Sequence, residues 1–115
     1  MAFEQWTVVV VPFPFTDRNT EQRRPAVVVS RPKEFGVLCG HSVLAMVTSA
    51  AHRAWPLDVP ITDLGKAGLP APSLVRMKLF TLDDRLIERR AGTLAASDAA
   101  AIVKALRNLL GYGEG

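Results

Sequence analysis

The residues best suited to chemistry lie where a polar loop meets a short apolar run, and Arg24 stands at that junction. Pro25 follows it, and a proline restricts the residue before it to extended geometry. A guanidinium is always charged and presents a planar fork of donors that fits a phosphate group. The sequence therefore predicts an anion-binding arginine at the mouth of a loop, with a salt bridge between Arg24 and Glu21 as the alternative.

Further cationic and hydroxyl-bearing side chains suit the same kind of anion. They are Arg18, Arg23, Thr48, Ser49, Arg76 and Lys78. The two hydroxyl residues end an apolar run, a position where such groups also bond to nearby backbone. Arg76 and Lys78 are two residues apart, so in a strand they would project to one face and extend a basic surface. Together these residues predict phosphate binding, but they do not specify a reaction.

Other kinds of site find little support in the sequence. Cys39 and His41 are two residues apart and His52 is distant, which matches no zinc-binding pattern. We therefore predict no metal site, and we expect the two histidines at a strand end and in a loop. The chain has neither a Gly-x-Ser-x-Gly nucleophile motif nor a glycine-rich phosphate loop, and no cofactor is predicted.

Length and composition favour one small domain over residues 1–115. A net charge of +3 and a pI near 9.5 are compatible with a nucleic-acid partner. A single cysteine excludes an intrachain disulfide and favours a reducing compartment. The first residues lack the basic start of a secretory signal, and the apolar run over residues 8–11 is too short to span a bilayer. We therefore expect a cytoplasmic protein with no membrane partner.

Six runs predict β-strands, because they are rich in β-branched residues or alternate between apolar and polar positions. They cover residues 7–11, 25–30, 41–49, 57–61, 73–82 and 85–90, the last as a charged edge strand. Pro12 ends the first run, and Pro25 is tolerated at the start of the second. A short helical turn is expected to begin near Asp63 and to end at Gly68.

The tail of the chain predicts an amphipathic helix, with Ser97 as N-cap, Asp98 at its positive end and Gly111 as its stop. Its apolar stripe comprises Ile102, Val103, Leu106, Leu109 and Leu110. Strands followed by one helix predict a mostly β fold with α: a small, bent antiparallel sheet or barrel crossed by the helix. Because strands apolar on both faces are hard to cover in so short a chain, we also expect a homodimer, with a thicker monomer core as the alternative.

Five segments carry a family resemblance when they are taken in order. They are VVVVPFPFTD from residue 8, RRPAVVVS from residue 23, LAMVTS from residue 44, AGLP from residue 67 and VRxKLFTLD from residue 75. In this order and spacing they resemble the MazF/PemK-like toxins of type II toxin–antitoxin systems. The resemblance implies an SH3-like β-barrel with a C-terminal α-helix, working as a homodimer. It also implies a metal-independent endoribonuclease that cleaves single-stranded RNA at short sequences and is inhibited by a cognate antitoxin protein.

The resemblance also implies roles for individual residues. Arg24 matches the family's catalytic arginine, and Thr48 matches the hydroxyl residue after the apolar run of the third strand. Glu21 falls in a loop that often supplies an acidic residue, and Arg76 lies where some members place a further active-site arginine. The implied catalytic residues are thus Arg24, Thr48 and Glu21, and the implied RNA-binding residues are Arg18, Arg23, Ser49, Arg76 and Lys78.

Two positions depart from the family pattern. Trp6-Thr7 stands where members commonly have Gly-Asp before the first strand, and Lys78 stands where some members have an acidic residue. The identity of the general base therefore stays open: it is Glu21, a histidine from elsewhere in the chain, or another group.

In the implied reaction the RNA 2′-OH attacks the adjacent phosphorus and leaves a 2′,3′-cyclic phosphate and a 5′-OH. Arg24 would stabilise charge on the phosphoryl oxygens, and Thr48 would bond to a nonbridging oxygen. Phe13, Phe15 or Trp55 would stack on bases, although core packing suits both phenylalanines better. The alternatives are a non-catalytic toxin of the same fold that binds DNA gyrase, a decayed RNA-binding homologue of the ribonuclease, and a structural RNA-binding barrel.

Overall fold

The computed structural model describes residues 2–13 and 22–113, and in this part of the chain one antiparallel sheet is crossed by a helix. The strands are β1 (Thr7–Pro12), β2 (Arg23–Val28), β3 (His41–Ser49), β4 (Val59–Pro60), β5 (Ser73–Asp83) and β6 (Arg89–Thr93). The helices are α1 (Val37–Cys39), α2 (Leu64–Ala67) and α3 (Ala96–Leu110), with a π-helical turn at Pro32–Gly36 and a 3-10 turn at Asp84–Leu86. The strand order is β4-β5-β3-β2-β1-β6. This half-barrel sheet with a C-terminal helix confirms the predicted fold class.

One face of the sheet packs against α3. Successive side chains of a strand point to opposite faces, so alternate residues of the central strands meet the helix. The buried side chains on this face include Val8, Val27, Ala45, Val47, Val75 and, from the helix, Ile102 and Ala105. Burial of this kind stabilises a fold by roughly 25 cal/mol per Å² of apolar surface. This cluster holds α3 to the sheet.

The opposite face, which we call the helix-free face, has an apolar cluster of its own. The cluster comprises Val9, Val11, Ala26, Val28, Leu44 and Ile87, with Phe3, Phe80 and Leu82 packed against it. Its valines, with Ala26 and Leu44, have no exposed surface in the single chain. The sheet therefore does not need a second copy to cover it, and the homodimer stays a prediction that the burial of the strands does not require.

Pro25 opens the sheet between β2 and β3. The β2–β3 ladder ends with Ala26 opposite Met46, whereas β2 continues against β1 as far as Arg23. Along a strand, backbone groups point alternately to the two neighbouring strands. Since the N–H of Val29 donates to β3, the nitrogen of Pro25 also faces β3, and it has no hydrogen to give. The two strands therefore part beyond Ala26.

The strand boundaries follow the sequence closely in three cases and differ in three. β1, β3 and β5 match their predicted ranges to within one residue. The range predicted for the second strand lies two residues too late, because β2 spans Arg23–Val28 and the Ser30 hydroxyl accepts the N–H of Val43 at 3.0 Å from outside the strand. The predicted strand over 57–61 is reduced to Val59–Pro60.

The predicted edge strand over 85–90 is wrong in position. The Asp83 carboxylate accepts the N–H of Arg85 at 2.9 Å and thereby starts the 3-10 turn, so the strand begins only at Arg89. β6 is nevertheless an edge strand, because it lies at the end of the sheet beside β1.

The helical turn α2 confirms its prediction. The Asp63 carboxylate caps it by accepting the N–H of Lys66 at 3.0 Å. Gly68 ends it with a φ of 75°, and a side chain at Gly68 would collide with the carbonyl of Ala91 in β6. This close approach fixes α2 against the edge of the sheet.

The helix α3 ends at Gly111 as predicted but begins differently. Its N-cap is Ala95, so the prediction of Ser97 is wrong. Asp98 lies in the first turn, where its buried carboxylate accepts the N–H of Thr62 at 3.0 Å and the Thr62 hydroxyl at 2.8 Å. The apolar stripe is shorter than predicted, since Leu109 and Leu110 are 42% and 61% exposed.

Candidate functional site

An open cavity of about 370 Å³ lies where β2 and β3 part. Residues 22–25 form one wall, residues 47–49 and His52 form another, and residues 69–73 complete the lining. If the β2–β3 register continued by two residues, Arg24 would stand opposite Thr48. The cavity thus brings together four predicted site residues, and the strand alternation places Arg24 and Thr48 on the helix-free face.

Among the described residues, the guanidinium of Arg24 contacts a side-chain amide and an aromatic ring. Its Nη2 donates to Gln22 Oε1 at 3.0 Å, and its Cζ lies 5.9 Å from the centroid of the Phe13 ring. Within residues 2–13 and 22–113, no carboxylate forms an ion pair with Arg24. The alternative partner, Glu21, lies outside the described residues.

Thr48 makes a short contact with a histidine. Its Oγ1 lies 2.7 Å from Nδ1 of His52. A tight turn brings the two together, since the N–H of His52 donates to the carbonyl of Ser49 at 3.1 Å, and Ser49 Oγ accepts the N–H of Ala51 at 3.2 Å. The backbone bond expected for the hydroxyl pair is therefore made by Ser49, while Thr48 bonds to a side chain.

His52 is the cavity residue that the sequence reasoning missed. It lies in a loop, as predicted, but it also lines the cavity beside Thr48. The one pointer in the sequence was the spacing of four residues between Thr48 and His52 across a predicted strand end, where a turn returns the chain on itself.

Arg76 belongs to a different contact network. Its Nε and Nη2 donate to the two carboxylate oxygens of Asp58 at 3.2 and 3.0 Å, and Nη2 also donates to the carbonyl of Arg53 at 2.7 Å. The ring of Trp55 covers the guanidinium, with Cζ 4.7 Å from the ring centroid. Arg76 is 9% exposed, so it anchors the loop over residues 50–58 and does not share an open basic surface with Lys78.

Asp58 is held in its charged form by this arrangement. Burial alone raises the pKa of the Asp58 carboxyl, but the hydrogen bonds from Arg76 and from the N–H of Trp55, with the charge of Arg76, outweigh burial and keep the pKa below its ordinary value. Arg76 and Asp58 are therefore an ion pair at neutral pH. The pair fixes the loop that follows β3 and carries both His52 and Trp55.

Lys78 lies on the exposed side of β5, next to a bulge in its pairing with β3. Its Nζ is 5.7 Å from the centroid of the Phe13 ring, and Phe13 in turn stacks on Phe80 with centroids 5.7 Å apart. Phe13 therefore has both Lys78 and Arg24 within the distance of a cation–π contact. Phe13 thus packs against Phe80 of the core on the one hand and contacts two cationic side chains on the other.

The remaining predicted residues differ in their surroundings. Arg23 lines the cavity, but its Nε forms an ion pair with Oε2 of Glu88. Ser49 lines the cavity and shapes the turn that carries His52. Arg18 and Glu21 lie outside the described residues, so their roles as an RNA ligand and a catalytic carboxylate stay predictions.

The described residues include no group of three or more His, Cys, Asp or Glu side chains that could hold a metal ion. In the same part of the chain, every helix is too short or too polar to cross a membrane. The polar groups that the described lining of the cavity presents are two guanidinium groups, three hydroxyls, one side-chain amide and one imidazole.

The fold places this chain in a class of small proteins: half-barrels with a C-terminal helix and, here, a cationic cavity. A comparison with protein families shows which family of this class the chain matches. Residues 4–110 match the family described as the PemK-like, MazF-like toxin of type II toxin-antitoxin systems. The chain belongs to this family, which is the one that its sequence resembles. A comparison with curated proteins found no match.

Solved structures agree on the fold. An endoribonuclease in complex with its cognate antitoxin from Mycobacterial species is 16% identical with a TM-score of 0.76, over 99% of this chain and 98% of that chain. A MazE-MazF complex from Deinococcus radiodurans is 24% identical with a TM-score of 0.75, over 96% and 98%. The Mycobacterium tuberculosis toxin MazF-mt6 is 21% identical with a TM-score of 0.69, over 91% and 96%. At these identities the similarity establishes the half-barrel fold alone.

Proposed function

We propose that this chain is an endoribonuclease toxin that cleaves single-stranded RNA in the cavity between β2 and β3, without a metal ion. The observation that carries the proposal is that Arg24 and Thr48, from two different strands, line one open cavity. A cation, a hydroxyl and an imidazole meet the needs of phosphodiester cleavage, which are charge stabilisation, hydrogen bonding and proton transfer. Membership of the toxin family supports the same activity.

The attacking group in this proposal belongs to the RNA itself. Its 2′-OH attacks the adjacent phosphorus and leaves a 2′,3′-cyclic phosphate and a free 5′-OH. Arg24 stabilises the negative charge on the phosphoryl oxygens, since its donors fit phosphate as a fork, and Thr48 donates to a nonbridging oxygen. Because DNA lacks the 2′-OH, DNA of the same sequence is not cleaved.

Trp55 is the proposed platform for a base. It is 45% exposed and lies over the guanidinium of Arg76, which fixes its position. Stacking of a base on such a ring is worth roughly 1–3 kcal/mol. Arg76 thereby serves RNA binding indirectly, as the support of Trp55.

The proposed contacts with further phosphates surround Arg24. Lys78 and Arg24 both lie within about 6 Å of the centroid of the Phe13 ring, so Lys78 adds a second positive charge to this part of the surface. Arg23 and Ser49 line the cavity itself, and Arg18 is included on the basis of its place in the loop before β2.

We further propose that a cognate antitoxin inhibits this chain, and that this chain acts as a homodimer in the cytoplasm. Two of the solved relatives are complexes with an antitoxin. Exposed apolar side chains support a protein partner as well: Val37, Leu38, Leu109, Leu110 and Tyr112.

The direct test is incubation of the purified protein with a single-stranded RNA in EDTA, beside the 2′-deoxy oligonucleotide of the same sequence. We expect cleavage of the RNA only, and end mapping should find 2′,3′-cyclic phosphate and 5′-OH ends. Cleavage that stops in EDTA would contradict the metal-independent mechanism. A protein that inhibits DNA gyrase and cuts no RNA would instead be a non-catalytic toxin, and salt-sensitive RNA binding without cleavage would indicate a structural RNA-binding barrel.

A further inference from the structure

We propose that His52 accepts the proton of the RNA 2′-OH during cleavage, beside Thr48 in the same cavity. The inference rests on the proposed function and adds the proton acceptor that the family resemblance leaves open. Three observations point to His52. It lines the cavity with Arg24, its Nδ1 lies 2.7 Å from Thr48 Oγ1, and a hydrogen-bonded turn fixes its backbone.

The role of Thr48 selects the direction of its bond with His52. A threonine hydroxyl has one hydrogen, and a neutral imidazole has a donor at one nitrogen and an acceptor at the other. If the hydroxyl hydrogen went to Nδ1, Thr48 would have none left for a phosphoryl oxygen. When the Nδ1–H of His52 donates to Thr48 Oγ1, the hydroxyl hydrogen is free for the phosphate, and Nε2 keeps a lone pair that can accept a proton.

The reaction then balances without a cofactor. The 2′-O–H bond breaks and its proton goes to Nε2 of His52, while the 2′-oxygen forms a bond with phosphorus. The bond between phosphorus and the 5′-oxygen breaks, and its electron pair stays on that oxygen, which takes a proton from a water molecule. The imidazolium of His52 returns its proton to the hydroxide that remains, so the enzyme is regenerated.

The other described groups in the cavity are poor proton acceptors. Arg23 and Arg24 are the charged side chains among its described lining residues, and both are cations. The facing segment over residues 69–73 contributes apolar residues and one serine. Histidine is the side chain that ordinarily exchanges its proton between about pH 5 and 8. Among the described residues of the cavity, this chemistry falls to His52.

The anchored loop explains how an exposed histidine keeps its position. Ser49 holds the turn from both its hydroxyl and its carbonyl, at 3.2 and 3.1 Å. One residue after His52, the carbonyl of Arg53 accepts from Arg76 at 2.7 Å. The backbone at His52 is therefore held by the Ser49 turn on one side and by the Arg53 carbonyl on the other, next to the strand that carries Thr48.

The test is His52→Asn, because the asparagine amide nitrogen stands near the position of Nδ1 and can still donate to Thr48 but cannot accept a proton. We expect cleavage to fall by about 10²–10⁴-fold, the range of general acid–base catalysis. Binding of the uncleavable 2′-deoxy oligonucleotide should stay unchanged. The wild-type rate should rise with pH, because only a neutral imidazole can accept the proton, and this rise should be absent in the variant. Added imidazole should restore part of the rate of His52→Gly.

The matched control is His41→Asn, which removes a histidine at the opposite end of β3 and should leave the rate and its pH dependence unchanged. A wild-type protein that cleaves no RNA would overturn the proposed function itself. Cleavage by the wild type, with His52→Asn equally fast and equally pH-dependent, would overturn the role of His52 alone. Equal losses of oligonucleotide binding and cleavage in His52→Asn, with no imidazole rescue of His52→Gly, would also overturn it, because they indicate a residue that only shapes the cavity.

Discussion

At the scale of single residues, the contacts of the cavity decide which atoms are left for a substrate. Among the described residues, Arg24 donates to the neutral amide of Gln22 and lies near the Phe13 ring, and in that part of the chain no carboxylate pairs with it. Thr48 contacts His52 through Oγ1, and the direction of that bond determines whether its hydrogen is available. The proposed binding of an anion by these two residues therefore requires that the hydrogen of the Thr48 hydroxyl is not donated to His52.

Thr48→Val tests the hydroxyl, because valine has nearly the same shape. We expect the cleavage rate to fall by about 10²–10³-fold, the scale of losing one oxyanion donor. Thr48→Ser keeps the hydroxyl and should stay within about tenfold of the wild type on the same scale. Single-turnover rates, with thermal melting as the folding control, give the measurement. An undiminished rate in Thr48→Val would remove Thr48 from the mechanism.

The sequence predicted the surroundings of a site residue only where those surroundings are set by its neighbours in the chain. Arg24 could be singled out because the restraint from Pro25 acts on the neighbouring residue. Arg76 was expected on an open surface because its partner, Asp58, is 18 residues away and no pattern links them. His52 was missed for a related reason, since its contact with Thr48 depends on a turn whose geometry Ser49 sets.

At the scale of elements, the cavity has two causes: the hydrogen-bonded pairing of β2 with β3 stops early, and the loop after β3 is held in place. Pro25 ends the β2–β3 pairing, and the Arg76–Asp58 pair fixes the loop after β3. The first of these devices is visible in the sequence, since a proline cannot donate to a ladder. The second needs the fold, because it joins a strand to a distant loop.

Arg76→Met should destabilise the fold by about 3–5 kcal/mol, since it leaves the carboxylate of Asp58 buried without its partner. The side chains of the pair are 11% and 10% exposed, so water replaces little of the lost interaction. Denaturant unfolding measures the change. The double variant Arg76→Met with Asp58→Leu should recover much of the loss, and an Arg76→Met protein as stable as the wild type would contradict the anchoring role.

The Asp58 pKa also predicts a dependence of stability on pH. Because the pKa of Asp58 is below its ordinary value in the folded chain, its contribution is present above the unfolded pKa, which is about 4, and is lost as pH falls through the folded value. Stability of the wild type should therefore decline below about pH 4, and Asp58→Asn should decline less over the same range. Parallel pH profiles for the two proteins would contradict this assignment.

At the scale of the whole molecule, α3 packs against one face of the sheet, and Arg24 and Thr48 of the cavity lie on the other. Burial of Ile102 and Ala105 holds the helix, and Asp98 fastens its first turn to Thr62. The alternation of the strands and the amphipathic tail were sufficient to predict this architecture. The start of the helix was not predictable, because Asp98 bonds to a segment 36 residues earlier in the chain.

Asp98→Ala should lower the free energy of unfolding by roughly 1.5–3 kcal/mol, the value of hydrogen bonds to a charged group. Asp98→Asn keeps one acceptor oxygen, so its free energy of unfolding should lie between those of the wild type and Asp98→Ala. The cleavage rate of the folded protein should not change, because α3 lies on the face opposite the cavity. Calorimetry measures the stability, and cleavage rates measured well below the melting temperature report the activity of the folded protein. A cleavage rate that falls while the stability is unchanged would contradict a purely structural role of Asp98.

In the proposed mechanism Arg24 stabilises the phosphate during RNA cleavage, and the decisive measurement is the rate at which Arg24→Ala cleaves single-stranded RNA. Arg107→Ala is the matched control, because it removes the same charge from the exposed side of α3. We predict that Arg24→Ala cleaves about 10²–10³-fold more slowly while it remains folded, and that Arg107→Ala cleaves at the wild-type rate. A folded Arg24→Ala protein that cleaves as fast as the wild type would contradict the account.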